Sequence, residues 1–432
     1  MYKFSKYNIP TRVGDNKVVF YNSLSGAKVI LDNEHYSKVV DRSLLVSKQD
    51  SMFDFFYENA FIVDVDFDEN DKLLQIEQKF ASEEELTIIF VTTEQCNFRC
   101  VYCYENHVNK RIDDSVYDSV FKHIKQKTKL RSLSLSWFGG EPLLEYDSIV
   151  KFSRLLQKYC NENDISFCSS MTTNGFLLSK EKLYELLSCN VSSFQITVDG
   201  LPQEHNAKRP LVGGHGTFEQ IWSNLKNFKT VSSDFNLIVR CNIDRDSDVY
   251  QFLDMFKSEF GGDSRIKLFL YAVGEWHSDE KQYFNKEEVS LSKYLLYCKK
   301  NGINELHLID GENKEHSIYY VCYANKYNNI VVRASGDVSK CTIKLDAENN
   351  LVGQIGCDGS LSYNEYVKDW CQPQSAAKCD DCVVKPLCMS RYCPHNLCDA
   401  TSLDCRKKLL RRIQNLDRIR YSEGELYEEK IV

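Results

Sequence analysis

The pattern of apolar and polar positions predicts alternating strands and helices from about residue 84 to residue 275. Six segments have the length and composition of strands: 86–91, 133–138, 166–171, 194–198, 236–241 and 266–271. Amphipathic segments separate them; in 113–127, for example, Val116, Val120 and Ile124 recur at helical spacing. Six strand–helix units in succession predict an α/β fold, a partial (β/α)6 TIM-like barrel with parallel strands.

The first part of the chain predicts a separate, winged-helix-like module. Apolar runs at 17–21 and 27–31 flank a five-residue turn, which is typical of a β-hairpin, and helical patterns follow near 33–42 and 50–60. We therefore expect a module over 1–82, the barrel over 83–280, a linker region over 281–318, and a cysteine-rich domain over 319–432. That last domain ends in an amphipathic helix over 406–419.

Composition excludes several classes of protein. The 432 residues are 43% hydrophobic and 27% charged, which is ordinary for a globular protein. The net charge of −8 argues against a nucleic-acid partner, because such domains usually carry a basic surplus. No apolar run approaches the roughly 18 residues of a membrane span, and the N-terminus lacks the apolar core of a signal peptide. We expect a cytoplasmic protein with no membrane partner.

The eighteen cysteines are grouped rather than scattered. Three lie within 96–103, ten lie from Cys322 to Cys405, and the remaining five are isolated in the predicted barrel and the predicted linker region. In a cytosolic chain such groups are more often metal ligands than disulfides. We interpret the isolated five as small buried apolar side chains.

The run Cys96-x3-Cys100-x2-Cys103 directly follows the first predicted barrel strand. A four-iron cluster is usually completed by four thiolates, so three at this spacing leave one iron open. A zinc knuckle and three unrelated thiols are the alternatives. Zinc sites more often pair one Cys-x2-Cys with a second, and none is close by. The run resembles the motif of radical S-adenosylmethionine (SAM) enzymes, whose open iron chelates the methionine part of SAM.

Further residues match that family along the barrel. Gly139-Gly140-Glu141-Pro142, at the end of the second predicted strand, matches the Gly-Gly-Glu-Pro motif, in which glycines let backbone approach SAM and a nearby acceptor is needed for its ammonium. Glu141 also suits an ordinary helix N-terminus. In the fourth strand, Gln195, Thr197 and Asp199 share one face. The cofactor-binding residues that the resemblance implies are Tyr102, Gly139, Gly140, Glu141, Thr172, Asn174, Thr197 for the ribose, Asp199, Arg209 for the carboxylate, and Asn242 near the adenine.

The C-terminal cysteines resemble the SPASM domain, which holds two auxiliary four-iron clusters. By position, the resemblance implies that one cluster is held by Cys379, Cys382, Cys388 and Cys405. The other would be held by Cys322, Cys341 and Cys393, with its fourth ligand open or supplied by Cys357, Cys371 or Cys398. The gap before Cys393 is four residues where the family usually has three. A zinc site at 379–393 is the alternative, but zinc needs only four ligands.

Together these resemblances predict a radical SAM/SPASM enzyme with SAM and three [4Fe–4S] clusters as cofactors. We expect a maturase that installs a thioether or carbon–carbon crosslink in a ribosomally made precursor peptide, with a small electron donor such as flavodoxin or ferredoxin. The module over 1–82 resembles a leader-recognition domain, since an exposed sheet edge accepts a peptide as an added strand. A packing role for that module is the alternative.

Two other functions stay open from the sequence. An anaerobic sulfatase-maturating enzyme belongs to the same superfamily, although Thr342 follows Cys341 where that group has an aspartate. A non-enzymatic iron–sulfur scaffold that only binds a peptide is the third possibility, but a scaffold has no use for an open iron. The precursor, the residues it links, the catalytic base and the oligomeric state cannot be read from the sequence.

Overall fold

The structure is a computed structural model. It describes residues 1–46, 51–244, 247–273, 291–306, 321–373, 379–391 and 393–394, and the single positions 410, 413, 414, 417, 418 and 421. The chain divides into two compact units. Unit 1 comprises Met1–Ala81, Lys314–Tyr327 and Lys368–Val432, and unit 2 comprises Ser82–Asn313 and Asn328–Val367.

Unit 1 begins with short antiparallel strands and three helices. Its elements up to residue 81 are β1 (Tyr2–Phe4), β2 (Asn8–Val13), β3 (Lys17–Asn22), β4 (Lys28–Asp32), α1 (Asn33–Val40), α2 (Ser51–Glu58), β5 (Ile62–Asp64) and α3 (Glu69–Lys79). The predicted hairpin is present as β3 and β4, which pair from Lys17 with Asp32 to Tyr21 with Lys28. Strand β2 pairs with the other side of β3, so β2 and β4 are the edges of a three-stranded sheet.

Aromatic residues fill the core of this first part. Phe20 of β3 stacks on Phe56 of α2 with ring centroids 5.7 Å apart, and Phe61 packs against both rings. A second cluster joins distant parts of the chain, because Ile9 and Tyr21 pack with Cys382 and Leu387. The N-terminal strands and part of the cysteine-rich region therefore share one hydrophobic core.

Unit 2 contains the six predicted strands, in order and in parallel. They are β6 (Glu85–Thr93), β7 (Ser132–Gly139), β8 (Ser166–Thr173), β9 (Val191–Thr197), β10 (Asn236–Ile243) and β11 (Ile266–Ala272). The connecting helices are α4 (Asp114–Gln126), α5 (Tyr146–Glu162), α6 (Lys180–Ser188), α7 (Pro202–Lys208), α8 (Phe218–Asn227) and α9 (Tyr250–Phe260). The prediction of an α/β fold with a large, mostly parallel sheet is confirmed.

The alternation of buried and half-buried residues along β7 shows which face of the sheet packs against the helices. Leu133, Leu135 and Trp137 are buried, whereas the residues between them are only half-buried. Trp137 stacks on Phe90 of β6 with ring centroids 5.1 Å apart, and Phe152 of α5 packs against Phe90. Apolar residues thus lie between sheet and helices, and the intervening polar residues occupy the opposite face.

Four short strands extend the sheet beyond β6. They are β12 (Asn329–Val332), β13 (Asp337–Ser339), β14 (Leu351–Ile355) and β15 (Leu361–Tyr363). Strand β12 is parallel to β6, with Asn329 opposite Thr87, and the other three follow as an antiparallel meander. Part of the predicted cysteine-rich segment is therefore continuous with the barrel sheet.

Three further helices are short. They are α10 (Ser292–Lys300), in the predicted linker region, α11 (Val367–Cys371) and α12 (Lys385–Cys388). Of the predicted helix over 406–419, the described positions Leu410, Ile413, Gln414, Asp417 and Arg418 are helical, and the remainder lies outside the described residues. Among the described residues, no helix is long and apolar enough to cross a membrane.

Candidate active site

The cysteine loop 96–103 starts just beyond the C-terminal end of β6, and a second segment holds its backbone in place. Arg99 N–H donates to the carbonyl of Pro210 at 2.9 Å, and Val101 N–H donates to the carbonyl of Lys208 at 3.0 Å. Phe98, at the centre of the loop, is fully buried and bridges to Leu211. The loop is therefore paired with residues that follow α7, more than a hundred positions later.

The two glycines of the Gly-Gly-Glu-Pro segment allow a close approach of backbone to backbone. Gly140 N–H donates to the carbonyl of Thr93, and Glu141 N–H donates to that of Gln95, both at 2.9 Å. A Cβ on Gly139, whose φ is +131°, would lie 2.2 Å from the Thr93 oxygen, and one on Gly140 would lie 2.3 Å from the Gln95 oxygen. These glycines thus hold the start of the cysteine loop against β7.

The thiols of Cys96, Cys100 and Cys103 line one pocket at the C-terminal ends of the parallel strands. Phe98 N–H points at Cys96 Sγ, 3.4 Å away. Burial raises the pKa of Cys96 to about 12 and that of Cys103 to about 11. Among the described residues, no group of three or more His, Cys, Asp or Glu side chains is arranged to hold a single metal ion. A four-iron cluster instead places each thiolate on its own iron, which suits three thiols around one cavity.

Eight of the ten predicted cofactor-binding residues line the same pocket. It encloses about 970 Å³ of space between protein atoms, including the part that is open to solvent at its mouth. The eight residues are Tyr102, Gly139, Gly140, Thr172, Asn174, Thr197, Arg209 and Asn242. Gln195, expected on the same strand face as Thr197, lines it as well.

Glu141 lies beneath the pocket wall and not on its surface. Its carboxylate is fully buried and accepts hydrogen bonds from Leu143 N–H at 2.9 Å, the Thr173 hydroxyl at 2.6 Å and Asn174 N–H at 2.7 Å. Burial raises the pKa of Glu141, and these hydrogen bonds oppose the rise. The carboxylate therefore joins the end of β7 to the end of β8, as the cap of the short helix Pro142–Glu145.

Asp199 is the other predicted residue that lies below the surface, and it belongs to a network centred on Tyr102. The Tyr102 hydroxyl donates to Asp199 Oδ2, and it accepts from Arg209 Nη1 at 2.8 Å and from Asn242 Nδ2 at 3.2 Å. Asp199 Oδ1 accepts from Asn242 N–H at 2.8 Å. Four predicted residues from four places in the sequence thus meet at one phenol oxygen.

A buried histidine fixes the other side of this network. Asp199 N–H donates to His205 Nδ1 at 3.1 Å, so Nδ1 carries no proton. His205 Nε2 lies 3.0 Å from the Thr217 hydroxyl, which in turn donates to the carbonyl of Arg209 at 2.7 Å. Burial and the nearby Arg209 lower the pKa of His205 to about 2, so the ring is neutral. No sequence motif singled out His205.

The hydrogen bonding of Arg209 indicates whether the pocket can bind the carboxylate of SAM. Its Nε is buried and has no hydrogen-bond partner among the described residues, while its Nη1 is held by Tyr102. The guanidinium carbon lies 5.7 Å from the Phe98 ring centroid. An unpartnered buried donor on a pocket-lining arginine is suited to a carboxylate ligand. The residues present therefore fit the carboxylate of SAM beside a cluster on the three thiols.

Eight more polar or aromatic residues of the pocket were not predicted: Phe98, Tyr104, Glu105, His107, Phe138, Thr173, Arg240 and Tyr271. Arg240 precedes Asn242 by two positions on β10, so strand alternation alone places both on one face. Burial raises the pKa of Glu105 to about 7, and its buried Oε2 has no hydrogen-bond partner in the part of the chain that the structure describes. Glu105 and Tyr104 follow Cys103 in a loop, where no periodic pattern indicates which way a side chain points.

The predicted auxiliary ligands are divided between the two units. Cys379, Cys382, Cys388 and Cys393 are buried in unit 1, and Cys322 is half-buried there. Cys341 is buried in unit 2, and Cys405 lies outside the described residues. Of the candidates for the remaining ligand, Cys371 is buried, Cys357 is exposed, and Cys398 lies outside the described residues.

The loop around Cys341 has the same local geometry as the loop around Cys96. Ile343 N–H points at Cys341 Sγ from 3.4 Å, as Phe98 N–H does at Cys96. The Asn350 side chain, fully buried, accepts from Cys341 N–H at 2.8 Å and donates to the Cys341 carbonyl at 2.9 Å. Such a loop presents its sulfur with a backbone donor directed at it, which suits a thiolate ligand.

Comparison with known proteins agrees with this geometry. Residues 90–255 match the Radical SAM superfamily. The chain therefore contains a radical SAM domain, and its pocket lies within the matched residues apart from Tyr271 and Val273.

Two relatives are named as enzymes of different kinds. The radical SAM cyclopropyl synthase TigE of Paramaledivibacter caminithermalis is 24% identical over 223 residues, which cover 43% of this chain and 47% of that protein. A cysteine-type anaerobic sulfatase-maturating enzyme of Clostridium perfringens is 25% identical over 211 residues, covering 46% of this chain and 55% of the relative. The chain thus spans about half the length of these two relatives.

Solved structures share the fold over a larger part of the chain. The structure of anSMEcpe with bound AdoMet has a TM-score of 0.59 at 17% identity, covering 79% of this chain and 98% of that one. Streptococcus suis SuiB bound to its precursor peptide SuiA has a TM-score of 0.52 at 16% identity, covering 92% and 96%.

Proposed function

We propose that the protein is a radical SAM peptide maturase. One observation carries the proposal: the three thiols of the cysteine loop and eight residues predicted to bind SAM line a single pocket at the C-terminal ends of parallel strands. That end is where barrel enzymes of this architecture place their chemistry. A bound cluster would supply one electron to SAM, which splits into methionine and a 5′-deoxyadenosyl radical.

The residues of the pocket then have distinct tasks. Cys96, Cys100 and Cys103 hold the cluster, and Arg209 orients the SAM carboxylate with its unpartnered Nε. Thr197 and Asn242, on neighbouring strands, are placed for the ribose and adenine. Tyr102 keeps Arg209 and Asn242 at fixed positions, because its hydroxyl is bonded to both. Such preorganisation is what a protein contributes when a cofactor performs the chemistry.

The names of related proteins support a peptide substrate. SuiB was solved with a precursor peptide, and anSMEcpe was solved with a peptide named Cp18Cys. In the proposed reaction the 5′-deoxyadenosyl radical takes a hydrogen atom from the peptide and becomes 5′-deoxyadenosine. The peptide radical closes a thioether or carbon–carbon bond, which releases one proton and one electron. Auxiliary clusters on the C-terminal cysteines would accept that electron.

Leader recognition by the N-terminal module is part of the proposal. In the three-stranded sheet β2–β3–β4, β3 is paired on both sides, so a leader would add as a strand along an edge, most simply β4 of the hairpin. Hydrogen exchange of the intact protein tests this. Amides of Lys28–Asp32 should gain protection when the precursor binds, whereas those of Lys17–Asn22 should not change. Unchanged exchange throughout β4 would contradict strand addition there.

Formation of 5′-deoxyadenosine tests the enzyme class. The anaerobically reconstituted protein, given SAM and dithionite, should release 5′-deoxyadenosine measurable by chromatography. Replacement of Cys96, Cys100 and Cys103 by Ala should abolish it, while the control Cys168→Ala, at an exposed cysteine, should retain it. A reconstituted protein that binds iron and peptide but never cleaves SAM would instead be a scaffold.

The substrate class needs a second assay. Peptides encoded by short open reading frames beside the gene should lose hydrogen atoms in the product mass spectrum if a crosslink forms. A sulfatase-type peptide with a target cysteine tests the alternative, since a sulfatase-maturating enzyme would convert that cysteine to an aldehyde. Conversion of that peptide alone would replace crosslinking by sulfatase maturation.

A further inference from the structure

Arg240 lies on the wall of the pocket, where no role has been assigned to it. It sits on β10 and is paired in register with Thr197 of β9 and Phe269 of β11. A line of hydrogen-bonded residues crosses the pocket from Arg209 through Tyr102 and Asn242 to Arg240. Arg240 is therefore at the end of this line that is farther from the cysteine loop.

The guanidinium of Arg240 is held in one orientation. Its Nε donates to Asn242 Oδ1 at 2.8 Å. Its central carbon lies 4.0 Å from the ring centroid of Tyr271 and 5.9 Å from that of Phe269. An arginine whose face packs on a ring and whose Nε is engaged presents its two terminal nitrogens as a planar fork. Such a fork matches the two oxygens of a carboxylate.

Arg240 has no acidic partner among the described residues. The carboxylate of Asp199, nearest to it along the network, is already occupied by Tyr102 and by Asn242 N–H. Arg209 differs, because its Nη1 is bonded to the Tyr102 hydroxyl, which itself donates to Asp199. A pocket-lining cation without a partner is costly to keep there unless a ligand supplies the counter-charge.

We propose that Arg240 binds a carboxylate of the substrate and so selects peptides that carry an acidic group next to the residue to be modified. The inference rests on the proposed function, in which Arg209 serves the carboxylate of SAM and leaves Arg240 for the peptide. The acidic group is either an Asp or Glu side chain or the free C-terminus of the peptide. Both present the same pair of oxygens to the fork.

Binding of short peptides to the SAM-loaded protein tests the inference without relying on turnover. The probes are N-acetyl-Gly-Asp-Gly-amide, its Asn analogue, and N-acetyl-triglycine with a free carboxylate. Isothermal titration calorimetry of the wild-type protein should give about tenfold tighter binding of an acidic probe than of the Asn analogue, as for hydrogen bonds to a charged group. The tighter of the two acidic probes identifies the side chain or the terminus as the source.

In Arg240→Gln the acidic probe and the Asn analogue should bind about equally tightly, while Arg240→Lys should retain part of the preference for the acidic probe. The control Arg131→Gln changes an exposed arginine outside the pocket and should keep the full preference. SAM affinity, measured on the same samples, should fall less in Arg240→Gln than in Arg209→Gln, because Arg240 reaches the SAM site only through its hydrogen bond to Asn242. Equal binding of acidic and Asn probes by the wild type would overturn the inference, as would a preference that survives Arg240→Gln.

A loss of SAM affinity in Arg240→Gln as large as that in Arg209→Gln would also overturn it, because Arg240 would then belong to the SAM site. Failure of the proposed function has a different signature. In that case the wild-type protein itself fails to cleave SAM, whereas the carboxylate preference is a ratio of binding constants that does not depend on cleavage.

Discussion

The substitution Tyr102→Phe tests the hydrogen-bond network that joins the cysteine loop to Asp199, Arg209 and Asn242. Tyr102→Phe deletes a hydroxyl that donates to Asp199 and accepts from Arg209 at 2.8 Å and Asn242 at 3.2 Å. A buried polar group left without its partner costs about 1–3 kcal/mol. Arg209 and Asp199 have opposite charges and can partly re-pair across the space left by the hydroxyl. We therefore expect a total cost of about 2–3 kcal/mol, which is less than the sum of three separate lost hydrogen bonds.

This cost should appear in SAM binding, because the network positions Arg209 and Asn242 for the ligand. At about 1.4 kcal/mol per tenfold, 2–3 kcal/mol corresponds to roughly 30- to 150-fold weaker SAM affinity. Calorimetric titration of the reconstituted protein measures it, and iron analysis checks that the cluster is retained.

Tyr117→Phe is the matched control. Tyr117 is a buried tyrosine on α4 whose hydroxyl has no hydrogen-bond partner among the described residues. Its replacement should leave SAM affinity unchanged and stability equal or slightly higher. The reasoning would be refuted if Tyr102→Phe kept its iron and bound SAM as tightly as Tyr117→Phe does.

Three further predictions follow from the same structure. The reconstituted protein should contain about twelve irons per chain, and a value near four would contradict two auxiliary clusters. Glu141→Gln should weaken SAM binding about tenfold by loosening Thr173 and Asn174, whereas Glu145→Gln, nearby but without such bonds, should not. His205 is neutral when folded, with its pKa lowered to about 2, whereas the unfolded chain binds a proton below about pH 6.5. Unfolding free energy should therefore fall by about 1.4 kcal/mol per pH unit below pH 6.5, and chemical denaturation of His205→Asn should lack this component.

The local sequence pattern was sufficient to predict those features whose residues lie close together in the sequence. The six barrel strands follow from apolar alternation, and each observed strand covers most or all of its predicted segment. Cys96, Cys100 and Cys103 lie within eight residues, so their grouping needs no folding to be recognised. Thr197 and Asn242 lie on faces that strand periodicity determines, since side chains alternate every two residues.

Contacts between segments that are distant along the chain could not be predicted from the sequence pattern. Strand β12 pairs with β6 across more than two hundred residues, and no local pattern indicates which strand a short apolar segment will join. The task of Glu141 is another case: its motif suggested an acceptor for SAM, but its carboxylate is occupied by the ends of β7 and β8. His205 and Asn350 act through hydrogen bonds to neighbouring loop and strand-end residues, and such bonds leave no periodic signal in the sequence.

The sequence by itself thus determined the fold class and the cysteine loop, because both depend on spacing along a short stretch of chain. Only the tertiary structure decided which side chains share the pocket and which lie beneath it. Tyr102 and Arg209 are separated by 107 positions, yet their hydrogen bond and the unpartnered Nε of Arg209 define the candidate SAM site. Such a pairing arises from the order of parallel strands and the loops at their ends, so it exists only after the sheet has formed.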